Sequence, residues 1–217
     1  MELKERIIEI IPENMQLGLC IHDSKSGGNF SINECAQFPL ASLAKWITAV
    51  FALKNHASVN DVSKSIKYHV NEAYMNLNNV ISDKEINQQL VEMGLDIHID
   101  CDNKEKLKNR GTPKAIFDFL NAILTNGFLS KDETKIIMEA MKAQEDRDGF
   151  RFKSPWLHMT GGLEGVCNDV GYVMLDDRCI TVVGMVKSTD PLIDWEQLEA
   201  LLTEIGEIIE SFFLFGK

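Results

Sequence analysis

The stretch FPLASLAKWITAVFAL, residues 38–53, sets a serine, Ser42, three positions before a lysine, Lys45, at the head of an otherwise apolar segment. Residues three apart on a helix share a face, so hydroxyl and amine can come within hydrogen-bond reach. A serine hydroxyl is a weak nucleophile until a base takes its proton. A lysine becomes such a base when partial burial and nearby positive charge lower its pKa. The start of a helix also offers free backbone N–H groups and the positive end of the macrodipole to negative charge developing on a substrate oxygen. The pair is therefore chemically competent for acyl transfer. The competing reading is a solvated lysine on the polar side of an amphipathic helix. WITAVFAL, which follows Lys45, has almost no polar side, and that makes a lone lysine conspicuous.

The elements that must position this pair can be read from periodicity. ELKERIIEIIPE carries apolar residues at helical spacing and stops at Pro12. Two strands follow over residues 14–36, joined by the turn DSKSGG. Helices are expected from Leu40 to Lys54 and over 59–79, 83–94, 113–126 and 130–143. WLHMTGGLEGVCNDVGYVML and RCITVVGMVKS then read as antiparallel strands turning at LDDR, and DWEQLEALLTEIGEIIESFFLF as a closing amphipathic helix. This order predicts one α+β domain over residues 1–217. Residues 1–37 and 150–217 form an antiparallel sheet flanked by the terminal helices, and 38–149 form an inserted helical lobe.

Composition bounds the function. With 217 residues, 45% of them hydrophobic, the chain can bury a sizeable core. A net charge of −11 makes nucleic acid an unsuitable partner and points to a small molecule or peptide as substrate. No run approaches the roughly 18 apolar residues of a membrane span. The N-terminus lacks the pattern of a secretory signal, so the cytoplasm is expected if the chain is native as given, and an extracytoplasmic site if a leader was removed. Five cysteines without a CxxC pair suggest buried free thiols rather than a disulfide framework or zinc, and no cofactor is expected.

FPLASLAKWITAVFAL resembles the active-site helix of class A serine β-lactamases and the related penicillin-recognising enzymes, which carry F-P-x-x-S-x-x-K at a strand-to-helix junction. VNDVSKSIKYHVNEAYMNLNN is similar to the family's central helices, RGTPKAIFDFLNAILTNGFLSKDE to those leading back to the sheet, and HMTGGLEGVCNDVGYVML to the strand pair opened by K-T-G. The resemblance implies a β-lactamase/transpeptidase-like fold and a serine hydrolase that forms an acyl-enzyme on Ser42, with Lys45 as base. It implies an oxyanion hole from the N–H groups of Ser42 and Gly162, with Thr160 and Gly161 on the far wall of the cleft. Gly161 and Gly162 also suit a bulge or a tight approach of two backbones.

The departures bear on mechanism. A gapless match anchored on Val59 and Asn76 puts Val70-Asn71-Glu72 at the family's S-D-N, which removes a proton-shuttling serine and brings Glu72 to Lys45, as a salt-bridge partner or as a replacement base. Met159-Thr160-Gly161 stands for K-T-G, so the cation that anchors a substrate carboxylate is missing. His158, one residue earlier, belongs to the other side of a regular strand and suits a structural role. The loop glutamate that activates the deacylating water has no clean counterpart; Glu105 and Asn109 are the nearest candidates in the matching loop, and Glu72 or Glu105 could activate the water. The segment between Lys54 and Ser63 is short, so a reduced helical lobe is expected. The bond hydrolysed would be an amide of β-lactam type or an ester. The alternatives are an inactive domain of this fold that binds a peptide or small ligand, and an esterase or glutaminase-like amidase.

Overall fold

The computed structural model describes residues 2–100, 108–125 and 127–215. The chain runs α1 (Leu3–Glu9), β1 (Gln16–Asp23), β2 (Asn29–Ile32), β3 (Phe38–Pro39), α2 (Leu43–Lys54), α3 (Val59–Tyr68), α4 (Asn71–Asn78) and α5 (Asp83–Glu92). It continues β4 (Ile97–His98), β5 (Arg110–Gly111), α6 (Pro113–Thr125), α7 (Lys131–Lys142), β6 (Trp156–Leu163), β7 (Val166–Leu175), β8 (Arg178–Lys187) and α8 (Trp195–Phe215). The fold is α+β, with an antiparallel sheet in the order β2-β1-β8-β7-β6. Strands from the two ends of the chain meet where β1 pairs with β8, Leu19 opposite Gly184.

The inner strands are covered on both faces, which is why β1, β7 and β8 read as nearly continuous apolar runs. Val170, Tyr172, Val183 and Met185 pack toward the helical block, while Cys167, Val173, Ile180 and Val182 pack toward α1 and α8. That alternation is the two-residue period of a strand. Helix α2 lies in the first of these cores with every residue from Trp46 to Leu53 buried, as expected for a helix that is apolar all round. Trp46 and Phe51 pack on Phe119 of α6 with ring centroids 5.2 and 5.7 Å apart. Among the described residues no helix is long and apolar enough to cross a membrane.

Three details differ from the sequence expectation. The single helix over 59–79 is two: α3 ends on His69 in the left-handed conformation (φ 55°), and Val70 (φ −63°, ψ 117°) opens α4. A left-handed residue caps a helix by turning its N–H groups back to earlier carbonyls, and here the cap N–H reaches Lys64 O. The second is a small sheet, β3-β5-β4, pairing Phe38 with Gly111 and Ile97 with Gly111. Two-residue strands carry no periodicity to read. The third concerns the thiols. Cys20 and Cys167 are buried, but Cys35 is exposed and Cys179 only half-buried; Cys101 lies outside the described residues.

Phe119→Ala removes the ring on which α2 and α6 meet. It is expected to cost about 3–5 kcal/mol, read as a lowered midpoint in urea unfolding followed by circular dichroism.

Candidate active site

The turn into α2 is held from three sides. Leu40 N donates to Asn109 O at 2.9 Å, and Asn168 Nδ2 on β7 donates to Pro39 O at 2.9 Å and Leu40 O at 3.2 Å. Gly161 on β6 packs so close that a Cβ there would lie 2.7 Å from Leu40 O. Between these contacts Ala41 is forced to a left-handed φ of 49°, a conformation that costs an L-residue about 1–2 kcal/mol. Local strain of this kind persists only where surrounding contacts over-determine it. The result is Ser42 as the N-cap of α2, half-buried. Leu43, Ala44 and Lys45 donate their N–H groups back to Leu40, Ala41 and Ser42, while the Ser42 N–H has no backbone acceptor among the described residues.

Lys45 projects from the same turn. Its Nζ donates to Asn71 Oδ1 at 2.6 Å and His69 O at 2.8 Å. Burial pushes its pKa below the ordinary 10.5, because a low-dielectric surrounding disfavours the charged form. Both acceptors are neutral, so they orient the amine without the Coulomb energy of an ion pair.

Those contacts correct the register read from sequence. Asn71, not Glu72, reaches Lys45; Glu72 is exposed and does not line the chamber around Lys45. The residue that meets Lys45 is therefore one earlier than the gapless match gave. The slip arises at the left-handed break after Tyr68, which a match assuming one continuous helix does not see.

Thr160 and Gly161 lie where β6 passes the turn. Thr160 Oγ1 donates to Asp146 Oδ2 at 2.9 Å and lies 3.0 Å from His69 Nε2. Gln144 Nε2 approaches the same imidazole nitrogen at 3.1 Å and donates to Ile66 O at 2.6 Å. Nε2 is thus shared between the Gln144 amide and the Thr160 hydroxyl, while Nδ1 is buried without a hydrogen-bond partner among the described residues. Burial, its main cause, and the nearby Lys45 push the His69 pKa below 6.5, against the opposing pull of Asp146. Met159 is fully buried in the core under this network, and His158 turns the other way to Asp169, with Nδ1 2.8 Å from Oδ1. Asp169 also accepts from Phe150 N and Trp156 Nε1, so His158 belongs to a buried structural network.

Ser42 and Gly162 line two adjoining chambers. One, of 660 Å³, extends along Thr160 to Asp146, Asn168 and Trp195. The other, of 490 Å³, contains Lys45, Asn71, Tyr74, Asp100 and Asn109. Asn109 is fixed there by accepting from Asp100 N at 2.7 Å. Glu105 lies outside the described residues. Sequence reasoning missed His69, Gln144, Asp146, Asn168 and Trp195. His69 was the most accessible of these, two residues before Asn71, had the match been anchored on that asparagine.

With this geometry in place, comparison with known proteins defines the class. Residues 62–213 match the β-lactamase enzyme family, and the chain belongs to that family. Its fold is that of the serine β-lactamase-like hydrolases. The structure of PBP-A superposes with a TM-score of 0.86 at 18% identity, covering 97% of this chain and 95% of that one. A mutant of PBP-A solved as an acyl-enzyme complex with penicillin G gives 0.83 at 18% identity, covering 97% and 96%. A β-lactamase from Chitinophaga pinensis DSM 2588 gives 0.83 at 17% identity, covering 96% and 98%. No curated protein sequence matches the chain. The family match begins after Ser42 and Lys45, so their assignment rests on geometry.

Asn71→Ala withdraws a hydrogen bond from the ammonium, and the Lys45 pKa should fall further. Glu72→Gln should leave it in place. A ¹³Cε NMR titration of the two variants measures this, and the opposite ranking would restore the gapless register.

Proposed function

We propose that the protein is an acyl hydrolase in which Ser42 is the nucleophile and Lys45 its general base. The observation that carries this is the amine of Lys45, one turn from Ser42, half-buried, lowered in pKa and held by neutral acceptors. Neutral Lys45 takes the Ser42 proton as Oγ bonds to the substrate carbonyl carbon. The negative oxygen of the tetrahedral intermediate is held by the N–H groups of Ser42 and Gly162. The proton on Lys45 then goes to the leaving nitrogen or oxygen as its bond to carbon breaks, leaving an acyl-enzyme. Water releases the acid and restores Ser42.

Asn71 fixes the amine. Thr160 and Gly161 shape the opposite wall, and Glu105 keeps the role of activating that water, four residues before Asn109. Glu72 lines neither chamber beside Ser42, which argues against it as the base or as the group that activates water. The bond cleaved is an amide or ester; efficient penicillin hydrolysis is not expected, since Met159 supplies no cation for the carboxylate. A domain that only binds ligand would have been favoured by Lys45 locked to Glu72, and Lys45 has no carboxylate partner among the described residues.

Intact-protein mass spectrometry after incubation with a fluorophosphonate tests this, with Ser42→Ala as control. One adduct, absent in the variant, is expected; an unlabelled wild-type protein would remove Ser42 as nucleophile. Only the neutral amine accepts a proton, so the labelling rate should rise about tenfold per pH unit and level off below pH 10.5, the ordinary lysine value. Lys45→Arg, which stays protonated, should slow labelling by about 100-fold or more.

A further inference from the structure

The larger chamber beside Ser42 has a charge pattern that selects its ligand. Asp146, Asp148, Glu164 and Asp194 all line it. Among the described residues lining it there is no lysine or arginine, and burial disfavours the charged form of His69, its one imidazole. The strand position where the resembling enzymes carry a lysine holds Met159, which is buried in the core. Burial and the neighbouring Asp146 together hold the Asp148 carboxyl above the usual range, the mark of negative charge without sufficient compensation.

A second observation is independent of the acidic groups. Asn168 is 1% exposed and lines the same chamber. Its Nδ2 must face the carbonyls of Pro39 and Leu40, which settles the orientation of the amide. That leaves Oδ1 as a buried acceptor with no partner. A buried acceptor left unmade costs about 1–3 kcal/mol, and a ligand N–H that reached it would recover that cost. Trp195 adds an aromatic wall: a Cβ on Gly162 would lie 2.2 Å from its ring.

Resting on the reading of Ser42 as acyl acceptor, we propose that this chamber takes substrates bearing a protonated amine beside the scissile carbonyl, and rejects those bearing a carboxylate there. Carboxylates on three loops and a donor-seeking amide surround the space into which such a group would project. A substrate carboxylate would meet like charge from Asp146, Asp148, Glu164 and Asp194.

The test uses three fluorophosphonates of equal length, ending in dimethylammonium, methoxy or carboxylate, at about 0.15 M salt to screen long-range charge. In each reaction Ser42 Oγ bonds to phosphorus, fluoride leaves and the serine proton passes to Lys45. Labelling rates are read by intact mass spectrometry. The ammonium probe should react about tenfold or more faster than the carboxylate probe. In Glu164→Gln/Asp194→Asn that ratio should fall to within about threefold. The asparagine still caps α8, where Asp194 accepts from Gln197 N. Glu92→Gln/Glu207→Gln, two exposed positions on α5 and α8 outside the chamber, removes the same charge from the net −11 and should leave the ratio unchanged. Equal rates, a faster carboxylate probe, or the same loss of ratio in both double variants would overturn the proposal while a labelled Ser42 still stands. Failure of the methoxy probe to label would instead overturn the nucleophile itself and the proposal with it.

Discussion

Lys45 is the only charged residue between Leu43 and Leu53 of a helix whose other side chains, past its first turn, are in the core. Carrying an amine into such a place costs several kcal/mol unless its protons find acceptors. The remedy here is the break between α3 and α4. A continuous helix would spend the His69 carbonyl on its own ladder and turn Asn71 elsewhere. With His69 left-handed, its carbonyl and the Asn71 amide both reach Lys45 Nζ. The break, the neutral acceptors and the lowered pKa are one arrangement, and it leaves an amine able to exist in its basic form.

The turn before Ser42 follows the same logic from the sheet side. Ala41 is held left-handed because Asn109, Asn168 and the bare backbone of Gly161 leave the chain no other path into α2. Gly161 and Gly162 have distinct reasons to lack side chains: one meets the backbone before Ser42, the other the ring of Trp195. A tight approach and a place in the cleft wall are thus the same property, since the strand can form that wall only by coming within contact distance of the turn before Ser42. His158 and Asp169, on the far side of β6, tie the strand to the Phe150 backbone and the Trp156 indole.

The chain keeps the family's scaffold while changing the charges set upon it. At 14–18% identity the likeness to solved structures concerns the fold, and fold leaves chemistry open. The hydroxyl and amine of the first helical turn retain the composition of an acyl-transfer site. The wall that faces them carries carboxylates and an amide acceptor, and Met159 of its strand is buried in the core. Chemistry at the reacting atoms and recognition of the flanking group are therefore separable here, being carried by different elements.

Long elements were legible because their information is local. The 3.6-residue period of α8, the double-sided apolar runs of β7 and β8 and the turn residues between them fix element type whatever they pack against. The Ser42–Lys45 spacing likewise determined that the two side chains share a helix face. What the sequence could not determine was the partner of Lys45. A side chain's face within a helix follows from counting, but a one-residue slip at a left-handed cap exchanges Glu72 for Asn71, and a carboxylate for an amide. That slip is decided by contacts between α2, α3 and β6, distant in the chain. The acidic chamber has the same origin: Asp146, Glu164, Asn168 and Asp194 are unremarkable residues of separate loops and strands until the packing of β6 against α8 and the α2 turn gathers them around one space.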